Sequence, residues 1–72
     1  MGIWYNIVFD IEEAEGWMPY DNDPNGEYTA NKSYKLHEEI IDGRKVYYVI
    51  NEKGEKQYDP WKTRRGDFVS AY

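Results

Sequence analysis

His37 is the single histidine of the chain, and it stands beside Glu38 and Glu39, either of which could orient it as a general base. A base needs a nucleophile to activate, and the sequence places none. Ser33 and Ser70 sit in no recognisable motif, and cysteine is absent. The paired carboxylates Glu12-Glu13 and Glu38-Glu39 point to opposite sides of any strand, so adjacency does not make them an acid/base pair. Asp21-Asn22-Asp23-Pro24-Asn25-Gly26 has the alternating oxygen ligands and the turn glycine of the first half of a calcium loop. The twelfth position, where a bidentate Glu would close such a loop, is Lys32, whose ammonium repels the ion. The expectation is a protein that is not an enzyme and holds no metal or other cofactor.

Two other constellations suit binding. Residues 1–31 contain seven acids (Asp10, Glu12, Glu13, Glu15, Asp21, Asp23, Glu27) and no Lys or Arg, a net −7. Residues 32–72 contain nine bases and seven acids, a net +2, giving −5 overall. Spaced carboxylates imitate the phosphates of nucleic acid, and the rings of Trp17, Tyr20 and Tyr28 lie among them as candidate anchors. Opposite in sign is the patch Trp61, Lys62, Arg64, Arg65, extended by Lys32 and Lys35. Its cations can neutralise phosphates while the indole stacks on a base. The bland alternatives are a loop solvated by its own charge, and basic side chains that pair with that loop inside the molecule.

The elements that must hold these residues are mostly strands. Thirteen aromatics, six Ile and four Val stand against one Leu and three Ala, a bias toward sheet. Residues 3–11 alternate, with Ile3, Tyr5, Ile7, Phe9 and Ile11 forming one wholly apolar set, which predicts a strand buried on that side. Residues 12–32 show neither period and are punctuated by Gly16, Pro19, Pro24 and Gly26, which predicts a long loop. Asp42-Gly43 predicts a two-residue hairpin pairing Ile41 with Arg44 and Ile40 with Lys45. Tyr34, Leu36, Ile40, Tyr47 and Val49 then share one face. A short helix over 34–41 is the rival reading. Residues 51–55 predict a second hairpin, with Gly54 left-handed, returning through Lys56-Gln57-Tyr58. Asp59-Pro60 predicts an N-cap and a helical turn over 60–65 ended by Gly66, and residues 67–72 a last strand.

This order of strand, long loop, three hairpin-linked strands, helical turn and strand resembles the SH3-like small barrel. It is also similar in size and texture to small SH3-like proteins encoded by bacteriophages. The resemblance is topological and spans nearly the whole chain. It implies a mainly β, five-stranded SH3-like barrel filling residues 1–72 as one domain. The tyrosine-rich motif with which signalling SH3 domains grip proline helices is missing, so no peptide-binding residues carry over. An open sheet with a short helix packed on it is the alternative architecture.

With no cysteine, no basic-then-apolar start and no run of about 18 apolar residues, the expected setting is the cytoplasm, free of a membrane. The function expected is that of a binding protein, of the kind a phage uses to block a host nucleic-acid-handling or defence protein. Its contact residues would be Glu12, Glu13, Glu15, Trp17, Tyr20, Asp21, Asp23, Glu27 and Tyr28, meeting a partner with a basic surface. The alternatives are a nucleic-acid-binding barrel using Trp61, Lys62, Arg64 and Arg65, and a homo-oligomer formed through the strand Val46–Ile50, which is apolar on both sides.

Overall fold

Aspartate and glycine at 42–43 both adopt positive φ (51° and 76°), as a two-residue turn between twisted strands requires. In the computed structural model, which describes residues 5–71, this turn joins β4 (His37–Ile41) to β5 (Arg44–Ile50). Their register is the expected one, Ile41 opposite Arg44 and Ile40 opposite Lys45. The second hairpin also forms, with Gly54 left-handed (φ 77°). Buried Asn51 organises it: its side-chain oxygen accepts the amides of Lys53 and Glu55. The chain returns as β6 (Lys56–Tyr58), completing an antiparallel sheet of order β4-β5-β6.

A second antiparallel sheet has the order β1-β7-β2-β3, with β1 Tyr5–Val8, β2 Gly16–Pro19, β3 Tyr34–Lys35 and β7 Gly66–Ala71. The described residues thus form seven strands in two sheets, with two 3₁₀ turns (Ile11–Glu13 and Pro60–Lys62) and no closed barrel. The count exceeds the expected five for two reasons. The chain leaves one sheet for the other at Leu36, which splits the strand expected over 34–41. The predicted loop contains β2. None of the described helical segments is long and apolar enough to cross a membrane.

Strand β2 lay in a stretch that predicts only loop, because Gly-Trp-Met-Pro has no alternation and is bounded by two breakers. It is nonetheless central, paired on both sides by β7 and β3. Pro19 is tolerated there because its backbone faces the β3 side beyond the end of that strand, where its carbonyl accepts the Asn31 amide. Gly66 does not end a helix as expected; it admits β2. A Cβ there would lie 2.6 Å from the Met18 carbonyl and 2.7 Å from Trp17 Nε1. Asp59 makes no side-chain cap and is itself left-handed (φ 48°), so the turn starts on Pro60 alone.

The registers place Val8, Phe68, Trp17 and Tyr34 in one row across the first sheet, facing the core. Trp17 is fully buried and packs edge-on against Tyr28 (5.3 Å) and Trp61 (6.3 Å); Tyr28 meets Tyr34 at 5.2 Å and Trp61 meets Phe68 at 5.1 Å. Val49 joins from the second sheet. Rings therefore do the work that leucines do elsewhere. The strand expected over 3–11 is described only from Tyr5, positions 3 and 4 lying outside the described residues, as does position 72 of the last strand. Its apolar set is only partly covered: Ile7 shares a face with fully buried Val69 but, on the edge strand, is 57% exposed, Phe9 is 98% exposed, and Ile11 is half-buried. Ile40, expected in the core, is 65% exposed because it lies toward the hairpin tip, past the ring cluster. Tyr34, Leu36, Tyr47 and Val49 are buried or half-buried as expected.

Trp17→Ala should cost about 3–5 kcal/mol. That is comparable with the roughly 4–11 kcal/mol that a domain of this length has at about 0.05–0.15 kcal/mol per residue. Thermal unfolding followed by near-ultraviolet circular dichroism should show no cooperative transition at 37 °C, and Trp17→Phe should recover one.

Candidate interaction surface

Residues 20–33 are tied down from several sides. The Asp23 carboxylate accepts the amides of Asn25 (3.0 Å) and Glu27 (3.2 Å), and the Asn22 side chain accepts the Ala30 amide. The oxygens that resemble half a calcium loop are thus used in local turns. Arg64 then reaches in from the second 3₁₀ turn, 3.2 Å from Asp23 and 2.8 Å from Glu27, with its guanidinium 4.9 Å from the Tyr28 ring centre. Glu52 holds the far side, accepting from Lys32 (2.6 Å) and the Tyr34 hydroxyl (2.5 Å). Its own amide donates to the Glu27 carbonyl.

The charges respond accordingly. Burial works to raise the Asp23 pKa, but the two backbone amides and the Arg64 guanidinium outweigh it and hold the carboxyl below its ordinary 3.8. Lys32 and the Tyr34 hydroxyl likewise hold Glu52 down. Burial pushes the Tyr28 phenol up to about 12.

Several expected contact residues are therefore inside the molecule. Trp17 and Tyr28 are core rings, not surface anchors, and Asp23 and Glu27 are neutralised by Arg64. Aromatics among acids either pack or bind, and with one leucine in the chain they are needed for packing. Tyr20 stays on the surface, donating to Asp67 at 2.5 Å with Arg65 stacked 5.7 Å from its ring. The basic patch is dismantled in the same way. Trp61 packs on Trp17 and Phe68 and Arg64 belongs to the clamp, leaving Lys62, 3.6 Å from Asp59, and Arg65.

Glu12, Glu13, Glu15 and Asp21 are exposed as expected. They are joined by two residues that sequence reasoning assigned to the core, Ile7 and Phe9. The first 3₁₀ turn fixes this arrangement: Asp10 caps it by accepting the Glu12 amide at 3.0 Å, so the chain bends immediately after Phe9 and leaves the ring in solvent. Among the described residues, Asp10, Glu12 and Glu13 have no ion pair. The result is an aromatic ring and an isoleucine beside carboxylates that make none of these ion pairs, with Lys45 close enough to Glu12 to feel its charge. The signal in the sequence was the alternation itself, which marks an apolar stripe without saying which side is covered.

The outer face of the second sheet also exposes apolar side chains. His37, Tyr48 and Tyr58 form a cross-strand row with ring centres 5.0 and 5.5 Å apart, and Lys56 lies 4.5 Å over Tyr48. Glu39 accepts from the Tyr58 hydroxyl (2.8 Å) and from Lys56 (3.1 Å), which hold its pKa low. Ile41 and Ile50 flank the row, both exposed. Glu38 pairs with Lys45 at 3.2 Å, so neither carboxylate is poised to orient His37. Comparison with known proteins finds no matching family model, curated protein or solved structure.

Because the Asp23 pKa is depressed in the folded state, its contribution is complete above 3.8 and is lost as the pH falls through the lower folded-state value. Urea midpoints should hold steady from pH 7 to about 5 and fall below about 4. Arg64→Met keeps the stem over Tyr28 but not the charge; it should lower the midpoint at pH 7 and flatten the acid limb. Equal acid losses in both proteins would contradict the clamp.

Proposed function

We propose that the chain is a non-enzymatic, cytoplasmic binding protein that docks on the basic surface of a partner protein through residues 7–15, with Phe9 as the buried anchor. Asp10, Glu12, Glu13 and Glu15 supply the complementary charge, and Asp21 adds to it. The observation that carries this reading is the exposed Phe9 ring beside Asp10, Glu12 and Glu13, which make no ion pair among the described residues. Enclosing a phenylalanine side chain contributes about 1.5–3 kcal/mol. The carboxylates act mainly on association rate and on the choice of partner.

An SH3-like arrangement is the finer fold reading. Strand β2, the β3–β4 segment, β5, β6 and β7 follow the order of the five barrel strands. The long connection at 20–33, the hairpin at 51–55 and the 3₁₀ turn before the last strand support it, with β1 as an addition to the edge. The resemblance to small phage-encoded SH3-like proteins supports an inhibitory role: carboxylates spaced along a surface compete for the phosphate-binding groove of a host nucleic-acid-handling or defence protein.

A second reading rests on the outer face of the second sheet, where Ile41, Ile50 and Tyr58 are exposed together: copies of the chain associate through it. Sedimentation over a hundredfold concentration range tests this. A shift to larger species that Ile50→Lys abolishes is the expected result, and a concentration-independent monomer contradicts it.

For the principal reading, a protein carrying Phe9→Ser, Glu12→Gln and Glu13→Gln should melt within a few degrees of the parent, because none of these side chains packs in the core. As bait in a bacterial lysate, the parent should retain a salt-sensitive set of basic-surfaced proteins that the triple variant loses. Identical retention by both baits would overturn the assignment.

A further inference from the structure

Strand β1 is an edge: among the described residues it pairs with β7 on one side only. The direction of its remaining backbone groups follows from β7. The carbonyls of Arg65 and Val69 accept from Tyr20 and Glu15, so odd-numbered residues along this part of the chain turn toward β2. Backbone direction alternates along a strand, so Phe68 and Ser70 turn toward β1. Their partners Val8 and Asn6 make the ladder, and the N–H and C=O of Ile7 and Tyr5 point away from the sheet. On this open edge the Ile7 side chain is exposed, Phe9 follows immediately, and the acidic 3₁₀ turn lies at its end.

We infer that β1 accepts an extended cationic segment of the partner as an additional strand of the sheet. This rests on the binding role proposed above and gives its mode. Main-chain bonds to Ile7 and Tyr5 provide the pairing, alternate apolar side chains cover Ile7 and Phe9, and lysines or arginines meet Asp10, Glu12 and Glu13. Charge decides between the two natural occupants of an open edge. A second copy would add another acidic turn, its own Asp10, Glu12 and Glu13, to the same sheet edge, with no Lys or Arg in residues 1–31 of either copy to offset the charge. The carboxylates that discourage self-pairing are the ones that attract a basic strand.

The test uses the whole protein and a synthetic eight-residue peptide of alternating Lys and Val, capped at both ends. Fluorescence anisotropy should show binding that weakens with salt. The same peptide N-methylated on its edge-facing residues keeps all its charge but loses ladder donors, and should bind roughly tenfold more weakly. Ile7→Pro removes an outward N–H without breaking the β7 ladder, so it should melt as a folded protein and bind with the same loss, whereas Ile7→Val should bind normally. Undiminished binding of the N-methylated peptide, or by Ile7→Pro, would overturn strand addition. Charge-driven docking would then stand on the lysate experiment with Phe9→Ser. Absence of binding by the parent peptide, or a free protein that light scattering shows dimerising in a manner Ile7→Pro abolishes, would equally overturn it.

Discussion

Enclosure of the Trp17 indole is the constraint on which the rest of the structure depends. Three separate segments must reach that ring: Tyr28 from the long connection, Trp61 from the second 3₁₀ turn, and β7, which approaches closely enough only because residue 66 has no side chain. Each of these contacts fixes something beyond the core. Tyr28 draws the acidic connection onto the body of the domain, and Trp61 brings Arg64 within reach of it. Gly66 lets β2 take a central place. The arrangement has a cost, because among the described residues neither Trp17 Nε1 nor the Tyr28 hydroxyl has a hydrogen-bond partner. Each such group costs about 1–3 kcal/mol, which the enclosed ring area must offset.

The same constraint sorts the charges. Asp23 and Glu27 are consumed by Arg64, and Glu52 by Lys32, so part of the charge asymmetry between the two halves of the chain is satisfied internally. Among the described residues, Asp10, Glu12 and Glu13 stay outside these ion pairs and lie next to the open edge of the first sheet, beside the exposed side chains of Ile7 and Phe9. Sheet stability and the proposed partner binding thereby rest on different residues. The ring cluster can be rigid while the edge stays available.

Local signals in the sequence were legible where the backbone alone dictates the outcome. Asp42-Gly43 and Gly54 specify their hairpins through positive φ, and the register of β4 with β5 follows from the first of them. Pro60 opens its turn for a similar reason. How far a strand's face is covered is a tertiary question, and there the alternation of residues 3–11 misled: Ile7 shares a face with buried Val69, but the edge position and the bend after Phe9 leave both side chains largely in solvent. Strand β2 was hidden because a short central strand needs no alternation. Trp17 and Tyr28 were expected as surface anchors and are core rings instead; the scarcity of leucine was the clue that they would pack. The intramolecular use of Arg64 was foreseeable as charge pairing but not as geometry, since its partners lie 37 and 41 residues away.

Residue-resolved amide hydrogen exchange on the free protein tests this division most directly. The amides of Asp23, Glu27, Ala30 and Asn31 should be protected to nearly the degree of β5, while the Ile7 amide should exchange freely between protected Asn6 and Val8. Exchange of the 20–33 amides at unfolded-chain rates, or strong protection of Ile7 in the monomer, would contradict it.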